Sequence, residues 1–191
     1  LHSSHSSWPY WFKFNNNLLD CSVLLSEGEI LNIFTAITSK TLLHKWTPTS
    51  HLTFFRDSFE YHSDSERVFM GFARMLQDYP IKLKSLNITF ENCNSLTNKE
   101  LEILGYGISR HSSSLETLHC KLRKLLNITD EGLKVFVGII TKNAKRLKEF
   151  SLHLGTSTML SDKGVNNAIL KVKSYLKDLK VLSIQMPTSG R

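Results

Sequence analysis

The sequence has few cysteines, no long apolar run and no recognisable secretory signal. Its three cysteines, Cys21, Cys93 and Cys120, are widely spaced and form no CxxC pair, which excludes the common zinc-chelating and thiol-exchange motifs. We therefore expect reduced and mostly buried thiols. No stretch approaches the roughly eighteen apolar residues of a membrane span, and the N-terminal residues lack the basic and apolar regions of a signal peptide. These absences predict a soluble intracellular protein, cytoplasmic in location.

Motifs that mark common enzyme classes are also missing. The sequence contains no GxSxG nucleophile elbow and no phosphate-binding GxxxxGK loop ending in Ser or Thr. The isolated pair Gly105 and Gly107 lies inside a predicted helix. We therefore predict that the chain is not an enzyme and has no catalytic residues, no cofactor, no metal ion and no small-molecule substrate.

The residues that are present suffice for one substantial hydrophobic core. The chain has 191 residues, of which 41% are hydrophobic and only 21% are charged. Intrinsically disordered chains lack enough apolar residues to form a core, so this composition excludes that class. We expect a folded globular protein.

A 32-residue repeat runs through the second half of the sequence. Its clearest markers are four leucines at constant spacing: Leu83, Leu115, Leu147 and Leu179. Each opens a frame close to LxxLxLxF, whose second half alternates apolar and polar residues. Such alternation is typical of a strand with one buried face. We expect four parallel strands stacked in sequence order, with the most deeply buried positions at Leu86, Leu118, Phe150 and Leu182.

A helix-start signal follows each of the first three frames in the same register. Thr97, Thr129 and Ser161 are predicted N-caps, and Thr97 forms a full capping box with Glu100. An apolar residue precedes each cap and faces another five residues later, as in a hydrophobic staple. Helical apolar spacing then continues through Leu101, Leu104 and Ile108, through Leu133, Phe136 and Ile140, and through Val165, Ala168 and Val172.

Two further units are predicted upstream. The period places Ser65 at a cap, but it also places Arg56 at an inward position, so we expect that strand to slip by one residue or to carry a bulge. Ser26 and Glu29 repeat the capping box before an earlier helix. The alternating aromatic residues that suggest one more strand are Trp8, Tyr10, Phe12 and Phe14.

The repeat resembles leucine-rich repeats of the ribonuclease-inhibitor-like class. The resemblance is carried by the LxxLxLxF frame followed by Cys93-x-x-Leu96-Thr97, by Asn127-Ile-Thr-Asp-Glu-Gly-Leu133 or by Leu160-Ser-Asp-Lys-Gly-Val165, and it covers residues 51–186. Repeats with a long strand-to-helix loop are most similar to those abundant in ciliates and other protists. The 32-residue length exceeds the usual range of about 20 to 29, which we interpret as a lengthened loop plus a full helix.

This resemblance implies an α/β fold, a leucine-rich repeat solenoid or horseshoe. Parallel strands would line its concave side and α-helices its convex side. Residues 1–50 would form an irregular or capping strand-and-helix unit, and residues 51–191 the solenoid. Because the sequence begins without Met and its last strand has no polar cap, we expect a segment of a longer polypeptide, or one covered by another subunit.

Two surfaces are candidates for partner binding. The first is the concave sheet face, where the alternating frames place the polar side chains of Asn87, His119, Lys121, Glu149, His153 and Gln185. The alternative for this face is a merely solvated surface. His119 and His153 would lie on adjacent strands, but the neighbouring units offer no third residue suited to bind a metal.

The second candidate is a basic edge in the C-terminal part of the chain. The formal net charge of +7 divides into −2 for residues 1–120 and +9 for residues 121–191. Lysine and arginine recur near helix C-termini and in the turns that follow, notably at Lys145, Arg146, Lys173 and Lys177. Cations at helix C-termini are favoured by the helix dipole, which accounts for part of this pattern. The remainder predicts a partner with an acidic surface.

The leading functional hypothesis is a non-catalytic scaffold for protein–protein interaction within a larger assembly, cytoskeletal or ciliary in the setting that the resemblance implies. The first alternative is the recognition module of a larger regulatory enzyme, such as a kinase or ubiquitin ligase. The second is nucleic-acid binding through the basic C-terminal half. Few aromatic side chains are interleaved with these lysines, which disfavours nucleic acid.

Overall fold

The structure is a computed structural model that describes residues 18–20, 27–38, 50–56, 64–91, 93–157 and 159–186. These residues form six strands and five helices that alternate along the chain. The strands are β1 (Leu18–Asp20), β2 (His51–Arg56), β3 (Ser85–Phe90), β4 (Thr117–Leu122), β5 (Glu149–Leu154) and β6 (Val181–Gln185). The helices are α1 (Glu27–Thr38), α2 (Asp64–Asp78), α3 (Asn98–Ser109), α4 (Asp130–Thr141) and α5 (Asp162–Tyr175).

The six strands form one parallel sheet in strict sequence order, β1-β2-β3-β4-β5-β6. One helix connects each strand to the next, and each helix packs against the helices before and after it. The fold is therefore of the α/β class, and the expected parallel, sequential strand order is confirmed.

The 32-residue repeat sets the register from β3 onward. Leu86 pairs with Leu118, Leu118 with Phe150 and Phe150 with Leu182. Since the two members of each pair are separated by one period in the sequence, equivalent positions form straight rows across the sheet. Alternate residues of each strand consequently point to one face, which the helices cover.

The strand β2 departs from that period without changing its phase. Leu52 pairs with Leu86 and Phe54 with Ile88, so the spacing between partners is longer than the period by two. The predicted one-residue slip or bulge is wrong, because a shift of two residues preserves the alternation and keeps Leu52 and Phe54 in the core. Arg56 pairs with Phe90 at the end of the strand.

The core is continuous along the rows and is most aromatic beneath β2 and β3. The rings of Phe54 and Phe72 stack with their centroids 4.3 Å apart, and Phe54 also contacts Phe90 at 5.0 Å. Leu86, Leu118 and Phe150 are fully buried, as expected. Leu182 is only partly buried, so the prediction for that residue is wrong: β6 is the last described strand, and no described layer covers its outer side.

The helix starts confirm three predicted caps. Thr97, Thr129 and Ser161 are the N-caps of α3, α4 and α5, and Thr97 forms its capping box with Glu100. The predicted cap at Ser65 is wrong, because α2 already begins at Asp64.

Several N-terminal predictions lie outside the described residues. They are the cap at Ser26, the thiol of Cys21 and the strand through Trp8, Tyr10, Phe12 and Phe14. The first described strand is instead β1, which the sequence pattern did not predict. Within the described ranges, none of the helices combines the length and the apolar character that crossing a membrane requires.

Candidate protein-binding surfaces

The face of the sheet opposite the helices carries the first candidate surface in ordered rows, most of whose side chains are half-buried. One row contains Asn87, His119, Ser151 and Ser183, and the next contains Thr89, Lys121, His153 and Gln185. Glu149 lies in a third row, next to Thr117. The predicted residues therefore do share a face, but His119 and His153 are diagonal neighbours on adjacent strands and occupy different rows.

Charges on this face are largely paired with one another. Lys121 Nζ lies 2.8 Å from Glu91 Oε1, and Arg123 Nη1 lies 3.0 Å from Glu91 Oε2. Partial burial would raise the pKa of Glu91, but the hydrogen bonds from Lys121 and Arg123 outweigh it and hold the pKa below its ordinary value. Glu91 thus pairs with two cations of this surface, Lys121 and Arg123.

Sequence reasoning missed Glu91, although a signal for it was present. Glu91 and Arg123 are one repeat apart, and both follow directly after a strand. Residues separated by one repeat lie side by side on neighbouring strands, so opposite charges at that spacing indicate a cross-strand ion pair.

The remaining polar groups of the face are weakly engaged. His119 Nε2 lies 3.9 Å from Glu149 Oε2, with both side chains nearly half exposed. Asn87 Nδ2 donates to Thr53 Oγ1 at 3.3 Å, and Gln185 Nε2 donates to the Ser183 hydroxyl at 3.2 Å. Among the described residues no group of three or more His, Cys, Asp or Glu side chains is placed to hold a metal ion.

The basic edge, which we define as Lys145, Arg146, Lys173 and Lys177, lies where the helices end and the chain turns into the next strand. Lys145 and Arg146 follow α4, Lys173 is in the last turn of α5, and Lys177 follows α5. All four side chains are exposed. The helix dipole acts mainly within the last turn, so it accounts for Lys173 better than for the other three.

The described part of the basic edge lacks the ion pairs that hold other surface cations of the chain. In the described part of the chain, no carboxylate forms an ion pair with any of the four residues. The neighbouring Lys148 does have a partner, because its Nζ lies 2.6 Å from Glu116 Oε2. The hydrogen bond from Lys148 lowers the pKa of Glu116, and the charges of Lys84 and Arg146 contribute further. Among the described residues, none of the four basic-edge side chains is therefore held in an ion pair, although the charge of Arg146 acts on Glu116.

A second feature that the sequence analysis missed joins the helix starts of neighbouring units. Thr129 N donates to Asn98 Oδ1 at 3.0 Å, while Asn98 Nδ2 donates to Thr129 Oγ1 at 2.9 Å. One unit later, Ser161 N and Ser161 Oγ both donate to the carboxylate of Asp130, at 2.8 and 2.6 Å. The first residues of α3 and α4 thus each bind the N-cap residue of the helix in the next unit, and we call this arrangement the cap ladder.

Glycine makes the cap ladder possible. A Cβ atom at Gly132 would lie 2.0 Å from Asn98 Oδ1, and one at Gly164 would lie 2.0 Å from Asp130 Oδ1. The equivalent position of α3 is Glu100, which satisfies its own cap residue through the capping box. Glutamate at this position therefore caps its own helix, whereas glycine leaves room for the side chain of the preceding unit to bind the N-cap residue.

The two cysteines that the structure describes, Cys93 and Cys120, lie in the core. Burial raises the pKa of the Cys93 and Cys120 thiols to about 12, so both are unreactive as nucleophiles at neutral pH. Both are free and buried, as expected.

The chain matches no protein-family model, no curated protein and no solved structure.

Proposed function

We propose that this chain is a leucine-rich repeat solenoid of the ribonuclease-inhibitor-like class that acts as a non-catalytic scaffold for protein–protein interaction within a larger assembly. The architecture is supported by one strand and one helix per unit, by the constant register from β3 to β6 and by helix contacts between neighbouring units. A single unit of this kind cannot bury both its strand face and its helix face, whereas stacked units share one core.

The observation that carries the functional part is the unpaired charge of the basic edge. Lys121 and Arg123 on the sheet face are held by Glu91, whereas Lys145, Arg146 and Lys177 are exposed without a carboxylate partner in the described residues. Like charges left unpaired on one edge repel each other and attract an anionic surface. The proposed partner is a protein with an acidic surface.

The test uses a four-fold charge reversal of the basic edge, K145E, R146E, K173E and K177E, with a fluorescent glutamate-rich peptide as the probe. We expect wild-type binding that weakens steeply as salt is raised from about 50 to 200 mM, since screening shortens electrostatic range over that interval. The reversed variant should lose binding but keep its melting temperature within a few degrees, because exposed charges contribute little to folding.

A matched control reverses four lysines outside the basic edge, K99E, K124E, K134E and K163E, which changes the net charge by the same amount. This control should retain most of the peptide affinity. Equal loss in both variants would reduce the effect to net charge and contradict the assignment. Preferential binding of a single-stranded RNA of the same charge would favour the nucleic-acid alternative instead.

The sheet face is the second candidate surface. It is favoured by the open arrangement of His119, His153 and Gln185, which have no strong partner within the face. If the reversed variant binds its probe unchanged, alanine substitutions at these three positions become the next test.

A further inference from the structure

The last described layer of the core is incompletely covered. Comparing the burial of each of its residues with that of the residue one repeat earlier shows the difference. Leu118 and Phe150 are fully buried, whereas Leu182 in the same row is only partly buried. The same contrast holds for Ile184 and Met186 against the fully buried residues one repeat earlier. On the opposite face of β6, in the row of Glu149, Val181 is 48% exposed.

The cap ladder also ends with an unused member in this layer. Asn98 caps Thr129 and Asp130 caps Ser161, and the next residue in the series is Asp162. Asp162 is exposed, and none of the described residues donates a hydrogen bond to its carboxylate. Within the described part of the chain, Asp162, the first residue of α5, therefore has two free carboxylate oxygens in the position where those of Asp130 accept hydrogen bonds from Ser161.

Backbone hydrogen bonds at the start of each strand form a similar series from one unit to the next. The carbonyl oxygens of Lys84, Glu116 and Lys148 each accept two amides from the next strand, as Lys148 O does from Lys180 and Val181. Lys180 is the next residue of this series and precedes β6, the edge strand. An edge strand of this kind offers a template for further pairing.

We propose that this end surface, formed by β6 and Asp162, is a docking site for another strand-and-helix unit of the same kind. Its strand pairs with β6 in parallel, and its helix has a Ser or Thr N-cap whose amide and hydroxyl donate to Asp162. Glycine occupies the third position of that helix, because a side chain there would collide with Asp162 as it would with Asp130 at Gly164. This inference does not depend on the basic edge.

The geometry favours such a unit over a second copy of the chain joined edge to edge. A two-fold axis perpendicular to the sheet would run the two β6 strands antiparallel, which sets the two α5 N-termini at opposite ends of the contact; a two-fold axis along the strands would place the two α5 helices on opposite faces. Asp162 would then have no helix N-cap beside it, and the cap ladder would remain incomplete.

The experiment extends the full chain by one unit. A copy of residues 155–186 is inserted after Met186, so that a serine stands one period beyond Ser161 and a glycine one period beyond Gly164. The melting temperature is measured for the original and extended chains, each as wild type, D162A and D162N. D162N is the matched control, since Asn98 performs the same capping role with an amide.

We expect the extended chain to melt cooperatively and at a higher temperature than the original. D162A should lower the melting temperature of the extended chain by about 2 to 6 °C, the scale of one lost helix cap in a domain of this size. The same change should shift the original chain clearly less, because only the interaction of the carboxylate with the N-terminus of α5 is lost there. D162N loses the same charge but keeps the cap contact, so it should shift both chains by the same small amount.

Three results would overturn the proposal. The added unit could melt separately without stabilising the rest, or D162A could have the same effect in both chains. The original chain could also form a dimer in light scattering that V181K dissociates, which would assign the surface to a second copy. Each outcome is independent of the peptide-binding test of the basic edge.

Discussion

His111 is a buried histidine that joins two units through both of its ring nitrogens. Leu83 N donates to Nδ1 at 3.2 Å, and Nε2 lies 2.8 Å from the carbonyl oxygen of Leu76. The neutral ring with its proton on Nε2 satisfies both contacts. Burial lowers the pKa of His111 to about 4, and the nearby charges of Lys82 and Arg110 act in the same direction, although the hydrogen bond to Leu76 opposes them.

Acid should therefore destabilise the fold through His111. The unfolded state binds a proton near pH 6.5 and the folded state only near pH 4, so the free energy of unfolding falls as the pH drops between these values. We expect a loss of about 1 to 3 kcal/mol across this window, measured by urea unfolding. H111Q should flatten this part of the profile, and an unchanged slope would contradict the assignment.

Gly132 provides a second prediction at the residue scale. G132A would push Asn98 away from Thr129 and break the cap contacts between α3 and α4, so we expect a loss of about 1 to 2 kcal/mol in unfolding free energy. Gly28 is the control, because a Cβ there meets nothing within 4 Å. G28A should be neutral or stabilise by up to about 1 kcal/mol. Calorimetry in which G132A matches G28A would rule out the steric argument.

At the scale of single elements, each interior strand contributes one layer of side chains to the core. Leu118 on β4 is covered by β3 and β5 together with the adjacent helices and has no exposed surface. Leu182 occupies the same row on β6 but, among the described residues, has a neighbouring strand on one side only. The loss in free energy of unfolding when either side chain is removed depends on how completely that side chain is buried.

L118A should lower the free energy of unfolding by roughly 2 to 5 kcal/mol, because a central layer cannot easily collapse around the cavity. L182A should cost clearly less, since part of that side chain already faces water. Chemical denaturation of both variants checks the difference. Equal losses would show that β6 is as enclosed as β4, against the observed burial.

Sequence reasoning predicted the elements from β3 to β6 well, because a strict period and local capping signals agree there. The caps at Thr97, Thr129 and Ser161 depend on residues within one helix turn, and this local chemistry is visible in the sequence. The contacts that were missed join different units. The cap ladder and the Glu91 ion pairs become apparent only when residues one repeat apart are placed side by side.

Prediction was weakest where the period changes. Between β2 and β3 the paired residues are 34 apart instead of 32, so a fixed spacing misplaced the cap at Ser65. Burial of Leu52 and Phe54 determines the register of β2 there, and the even shift leaves their alternation intact. Of the two candidate surfaces, alternation alone predicted which residues share the sheet face, but it could not predict which of their charges are paired.

At the scale of the whole molecule, the helices and strands of each described unit pack against those of the units before and after it. Such a stack is held together by neighbour-to-neighbour interfaces, and its stability is close to a sum of layer terms. The charge is distributed unevenly along the stack, with a net +9 in residues 121–191. A partner bound at the basic edge would therefore engage the C-terminal layers first.

From β3 onward, the strands follow one another in parallel with a constant register of one repeat. Nuclear Overhauser contacts in isotope-labelled protein test it most directly, through the methyl and aromatic protons of Leu86, Leu118 and Phe150. We predict contacts from Leu118 to both Leu86 and Phe150, with backbone contacts between the exposed neighbours Asn87 and His119. Contacts typical of antiparallel pairing, or a direct contact from Leu86 to Phe150 in place of those to Leu118, would contradict the account.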